Sequence, residues 1–445
     1  MRLRQSENKT GQVFEAVEQV RKEIHRKRPD LKALDRRVHY AEKFLHQLEG
    51  VQGSLAEQLR SKVQEFIQNP EDKIYVAHFC LDKNERPGSK RVMLIFADPS
   101  KSEGSCFELL IYQKLQVPEW AGRILQQSIA CPIIVSRCSG GFNNETMLGI
   151  FPEHLSDKKQ DHQQRSDAKA FYLIDRFVAR FLKYSRLSLG CFTEDSFPNL
   201  RKLLQKNSFD ETQIFLQMAG VIWLGLHEQN HQISVLPLHE NLAVFSRIAL
   251  SGLEELRVDL MSMIQIFEGS EIRENVDYYQ AVGEYVLLER LMAYSLVDLD
   301  HRKDGNIVPS FDTFGSHVLF LGLLKKGHLE FEDQHGPSRK LRLKSTWLDG
   351  VNEVLHEINT VYEQANTVKL DALASGQLTK SEVRERVRDF MESYVDSVIL
   401  DHGLVPTIDF EFEIKSKNPD KGSRMVKFRM LQWFADVYED IYPIV

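Results

Sequence analysis

Cysteine is scarce in this sequence, and the few present form no cluster. Cys80, Cys106, Cys131, Cys138 and Cys191 are odd in number and contain no C-x-x-C pair, so neither a disulfide framework nor a cysteine-based zinc knuckle is expected. Four of them stand in apolar, strand-like surroundings, where a reduced cysteine packs as a small hydrophobe. Long apolar runs are also missing: no stretch approaches the roughly 20 residues of a membrane span. Met1–Asn8 is polar and lacks the apolar core of a signal peptide. These absences set the expectation of a cytoplasmic protein with no membrane partner. A basic excess is absent too, since the net charge is −7, and nucleic acid is therefore not an expected partner. Neither repeats, heptads nor low-complexity tracts are seen.

What is there suffices for a folded protein: 42% hydrophobic residues in a chain of 445 fit two to three domains with sizeable cores. Residues 1–72 read as a helical region, with Val13, Val17, Val20 and Ile24 at helical spacing. Its basic residues, among them Arg21, Lys22, Arg26, Arg36 and Arg37, alternate with Glu18, Glu23, Asp30 and Asp35, which reads as a solvated helix face. Residues 73–160 change to short β-rich runs at 74–81, 92–97, 106–112, 133–135 and 147–151. Turn residues such as Pro87-Gly88-Ser89 and Gly140-Gly141 separate them. A hydrophilic stretch over 156–166 marks a boundary. Residues 161–326 carry helical patterns at 171–184, 211–233, 241–267 and 276–299. Residues 327–445 mix strands (327–332, 340–343, 407–414, 425–430) with helices over 346–365 and 379–397. The expected fold class is α+β and predominantly helical, with a small mixed β-sheet region N-terminal to a helical core.

The chemistry concentrates in His227-Glu228-Gln229-Asn230-His231, an H-E-x-x-H pattern. On a helix, residues four apart stand about 40° apart on one face, so both imidazoles can reach one ion. Glu228 sits one step round the helix, where its carboxylate can take a proton from a metal-activated water. The preceding run, Ala219 to Leu226, is almost wholly apolar apart from its two glycines, which predicts a buried helix. Buried histidines beside a glutamate need a compensating partner, and a dication supplies one.

Catalytic zinc usually takes three protein ligands. The next helix offers Glu254-Glu255-Leu256-Arg257-Val258-Asp259. Leu253, Leu256, Leu260 and Ile264 make its apolar stripe, while Glu255, Asp259 and Ser262 share another face. Glu255 is the expected third ligand, and Asp259, one turn on, is placed to hold the free ring nitrogen of a ligating histidine. Glu254 is less favoured, because Val258 occupies the equivalent supporting position. Gly252 allows a close helix approach, and residues 232–240, with Pro237 inside, can reverse the chain between two antiparallel helices.

His227-Glu228-Gln229-Asn230-His231 followed by Glu254-Glu255-Leu256-Arg257-Val258-Asp259 resembles the gluzincin metallopeptidases. Its Glu-Glu-x-Arg-x-Asp form is similar to dipeptidyl peptidase III, although the five-residue first motif is that of other gluzincins. The segment Phe314–Leu324 resembles the helix that carries a transition-state histidine in that family, which assigns that role to His317. The resemblance covers about 100 residues and implies a zincin-like core. On that reading Zn2+ is held by His227, His231 and Glu255, Glu228 is the general base, and a peptide or small amide is the substrate. A tyrosine such as Tyr278, Tyr279 or Tyr294 is expected beside His317 at the oxyanion. The alternative is a non-catalytic interaction or scaffold protein that keeps a gluzincin-like core.

Overall fold

The structure is a computed structural model. It describes residues 12, 14–20, 22–23, 31–49, 60–61, 75–80, 90–96, 107–117, 119–126, 130–138, 149–150, 170–270, 276–293, 299–301, 307–309, 311–332, 340–402, 409–415 and 423–429. The chain divides into two compact units, Met1–Phe177 and Val178–Val445. The hydrophilic stretch 156–166 and the glycine pair at 140–141 lie outside the described residues. The division falls within a helix a little further on, between Phe177 and Val178.

In the first unit, residues 14–20 are helical and α1 spans Leu31–Glu49. Val17, Val20, Leu34, Val38 and Ala41 are buried. Arg37 bonds the Gln19 side chain and approaches the buried Glu23 at 3.3 Å, so part of the basic series is used internally. The sheet comprises β1 (Tyr75–Cys80), β2 (Lys90–Phe96), β3 (Phe107–Lys114), β4 (Ala130–Cys138), β5 (Gly149–Ile150) and β6 (Ala170–Leu173), with α2 (Glu119–Gln126) between β3 and β4. The order is β1-β2-β3-β4-β6-β5. Only β4 and β6 run parallel, Ala130 facing Ala170 and Ile133 facing Leu173. Met93, Leu110, Tyr112, Ile133 and Leu173 form its core, with Cys131, Cys138 and Phe171 packed against them. The mixed sheet matches expectation. Its parallel strand does not, because residues 171–173, expected as the start of a helix, complete β6. Their unbroken apolar run suits a strand covered on both faces.

The second unit is mostly helical. It contains α3 (Ile174–Gly190, from Val178 onward), α4 (Pro198–Lys206), α5 (Phe209–Asn230), the single turn α6 (Leu238–Asn241), α7 (Ile248–Ser270), α8 (Val276–Leu288), a π-helical turn (Glu289–Ala293), α9 (Phe311–Lys325), α10 (Trp347–Ala374) and α11 (Lys380–His402). Three small antiparallel ladders accompany them: β7 (Leu299–His301) with β8 (Ile307–Pro309), β9 (Leu329–Phe331) with β10 (Leu341–Leu343), and β11 (Asp409–Lys415) with β12 (Ser423–Arg429). Among the described residues no helix is long and apolar enough to cross a membrane.

α7 is the hub of this unit. It packs against α5, α8, α9, α10 and α11, and Leu253, Leu256, Val258, Leu260, Met263 and Ile266 are all buried. A helix surrounded in this way must be apolar nearly all round, or pair each polar group it buries. Its closest neighbour is α9. A Cβ built at Gly315 would lie 2.5 Å from the Gly252 carbonyl oxygen and 3.1 Å from Leu256 Cβ. The close approach shown here is thus of α9 to α7, and it is Gly315 whose missing side chain permits it. Gly315→Ala is expected to destabilise the protein by about 1–3 kcal/mol through overpacking. Gly122→Ala, whose Cβ would meet nothing nearer than 3.9 Å, should be neutral or stabilising by up to about 1 kcal/mol. Urea unfolding of the two variants measures both.

Candidate metal centre

The sequence builds α5 as a well-started helix whose second half is buried. Ser208 caps it: its hydroxyl accepts from the Glu211 N–H (3.3 Å), and the Glu211 carboxylate accepts from the Ser208 N–H (2.8 Å). Both contacts stabilise the first turn. From Ala219 to Gly225 every residue is buried, as the apolar run predicts. His227 and His231 are on the last turn, with His231 as the C-terminal cap. Residues 232–247 then reverse the chain through α6, and α7 returns alongside α5. Asn230 on α5 holds the register by donating to Ser262 Oγ (3.0 Å) and Gln265 Oε1 (3.1 Å) on α7.

This hairpin brings His227, His231 and Glu255 together, with one potential ligand atom from each lying within 4.8 Å of the others. The two Nε2 atoms are 3.1 Å apart. Glu255 Oε2 is 3.1 Å from His227 Nε2, and Oε1 is 3.7 Å from His231 Nε2. The outer ring nitrogens are also engaged. His227 Nδ1 is 2.7 Å from Asp259 Oδ1, and His231 Nδ1 is 3.0 Å from Glu254 Oε1. An ionised carboxylate can only accept, so each Nδ1 carries the hydrogen and each Nε2 of a neutral ring presents a lone pair inward. Two lone pairs and a carboxylate thus face one small space, an arrangement that a proton or a metal ion can satisfy. The donor set fits zinc, which takes imidazole nitrogen and carboxylate oxygen.

The supporting acids are themselves fixed. Asp259 Oδ1 accepts from Trp223 Nε1 at 2.6 Å, and Oδ2 pairs with Arg290. Burial opposes the Asp259 charge, yet Arg290 and His227 hold its pKa down to about 2. Glu254 accepts from Arg257 (2.8 and 2.9 Å) and from the Tyr362 hydroxyl (2.7 Å). Burial opposes its charge as well, and Arg257 with His231 brings it to about 2. Both acids stay ionised at neutral pH. Arg257 also donates to the Asn230 and Ile233 carbonyls at 3.2 and 3.1 Å, closing the end of α5.

Glu254, passed over as a ligand, emerges as the support of His231, as Asp259 is of His227. Its i,i+3 spacing from Arg257 was the available signal. Trp223, Arg290 and Tyr362 come from outside the motif segments and carry no sequence signature. Glu228 is buried beside His227 on α5. His317 is buried on α9, and burial lowers its pKa to about 4. Among the described residues no hydrogen bond or ion pair joins His317 to the cluster. It stands about 200° round α9 from Gly315, the residue that meets α7. Tyr278 packs edge-on against Phe215 and Tyr279, and Tyr294 lies outside the described residues. No family model matches this chain, and no curated protein matches it significantly.

Without a cation, burial works against protonation of His227 and His231, but Asp259 with Glu255, and Glu255 with Glu254, override it and raise both pKa values. Protons therefore compete with a metal at these rings. Because the folded pKa values lie above the ordinary 6.5, zinc affinity should keep rising with pH through neutrality instead of levelling near 6.5. Asp259→Asn and Glu254→Gln should each weaken zinc binding about 10- to 100-fold. Competition with a chromophoric chelator across a pH series measures all three effects.

Proposed function

We propose that this chain is a zinc-dependent hydrolase, in the first instance a metallopeptidase of the gluzincin kind. The observation that carries the reading is the convergence of His227 Nε2, His231 Nε2 and the Glu255 carboxylate in one half-buried place, each histidine oriented from behind by its own acid. His227, His231 and Glu255 would hold the metal, and zinc bound there supplies positive charge that polarises a carbonyl and acidifies water.

The chain's own residues supply the rest. Glu228 takes a proton from the attacking water and delivers it to the leaving nitrogen, so that one carboxylate serves as base and then as acid. Asp259 and Glu254 keep each imidazole in a single tautomer, which leaves Nε2 free for the metal. Trp223, Leu224 and the other buried residues of α5 exclude water from behind the ligands and strengthen the local electrostatics. On the sequence resemblance alone, His317 is the candidate donor to the developing oxyanion. Burial lowers its pKa to about 4, so at neutral pH it would act as an uncharged N–H donor. Peptide or small amide substrates lead because related metal–glutamate sites hydrolyse them, an analogy of chemistry.

Purified protein should contain one zinc per chain by elemental analysis, and His227→Ala should lose it. Glu228→Gln should keep zinc and lose about 10²–10⁴-fold in peptide hydrolysis. Retained activity in Glu228→Gln would reject the base assignment, and zinc-free wild-type protein would reject the site. His317→Gln should lower kcat with zinc content unchanged, whereas an unaffected kcat would remove His317 from the mechanism.

A further inference from the structure

α8 is buried along most of its length, with residues 281–288 all inaccessible. Where it ends, the chain makes a π-helical turn, Glu289–Ala293, that begins with two charged residues. Both are buried, Glu289 at 3% exposure and Arg290 at 1%. They turn to different helices. Glu289 Oε2 accepts from Arg180 Nη2 of α3 at 2.5 Å, and Arg290 Nε donates to Asp259 Oδ2 of α7.

Two buried ion pairs are weak evidence of stabilisation, because well-packed apolar side chains of similar volume often do as well. π-turns, moreover, occur frequently at functional sites. What this turn does is visible at Asp259. One carboxylate oxygen is committed to Trp223 Nε1 and His227 Nδ1, the other to Arg290. With both oxygens engaged, the carboxylate cannot rotate about its own bond without breaking a contact. His227 is thereby kept in the tautomer that directs Nε2 toward His231 and Glu255.

We infer that the π-turn is a positioning device for the metal centre: Arg290 acts through Asp259 to fix His227, and Glu289 anchors the turn to Arg180. The inference rests on the metal-site reading above and adds to it a residue from outside the metal-binding hairpin. Arg290 is a positioning residue, since the contact through which it acts is the Asp259 carboxylate behind His227.

The test uses the full chain and three variants, Arg290→Met, Arg290→Lys and Glu289→Gln. Zinc affinity is read by chelator competition, the cobalt complex by visible absorption, and the metal-free His227 tautomer by 15N shifts of labelled histidine at an alkaline pH where the ring is neutral, with urea midpoints as the folding control. Arg290→Met should weaken zinc about 10- to 100-fold, alter the cobalt spectrum and mix the His227 tautomers. Arg290→Lys, which keeps the charge but not the planar fork, should recover part of the affinity and of the spectrum. Should Arg290→Met not fold, Glu289→Gln decides: it retains Arg290 and loosens only the turn, so weakened zinc binding supports the device and wild-type binding overturns it. Wild-type affinity, cobalt spectrum and tautomer in folded Arg290→Met also overturn it. A wild-type protein that takes up neither zinc nor cobalt overturns the metal reading and this inference with it, whereas a wild type that binds as its variants do overturns this inference alone.

Discussion

Three electron-rich groups confronting one another inside protein are the constraint on which the rest of this unit turns. His227 Nε2 and His231 Nε2 are 3.1 Å apart, and the Glu255 carboxylate is equally near the first of them. No packing of side chains makes such a meeting favourable by itself, because lone pairs and a carboxylate repel where there is little water to screen them. A proton or a metal ion must sit between them. The burial of α5, the chain reversal through α6 and the central place of α7 all serve to hold that confrontation in place.

The outer layer resolves a second difficulty. Asp259 and Glu254 are needed to orient the histidines, but two more buried negative charges would burden the interior by several kcal/mol each if left alone. Each therefore has a buried guanidinium, Arg290 for Asp259 and Arg257 for Glu254. Glu255, by contrast, faces the two Nε2 atoms, and among the described residues it has no guanidinium partner of its own at hydrogen-bond distance. Neutralising the supports while leaving the ligands negative concentrates the field where a cation would rest.

Much of the inner arrangement could be read from residue spacing. The pair at 227 and 231 and the acids at 255 and 259 lie on two regular helices, where periodicity of 3.6 residues fixes which side chains share a face. The strand-to-helix switch near 170–174 was not legible, because a short apolar run suits both a covered strand and a buried helix. Nor was the partner of Gly252. Glycine announces that something comes close without saying what, and here it is Gly315 on α9 that admits the Gly252 carbonyl. The outermost contacts were hidden for a different reason. Tyr362 and Arg290 reach the site through tertiary packing, for which local pattern holds no information, whereas Trp223 stands one turn before His227 on the same helix.

The separation along the chain between these partners has its own consequence. His231 and Glu254 are 23 residues apart, whereas Tyr362 is 108 residues from the same glutamate. Loop-closure entropy makes the longer link costlier by about 1.4 kcal/mol. The hairpin that carries the ligands is therefore the low-contact-order part of the assembly, and the tyrosine is its distant clasp. Loop closure alone thus favours the pairing of His231 with Glu254 over the remote link that the tyrosine makes to the same carboxylate.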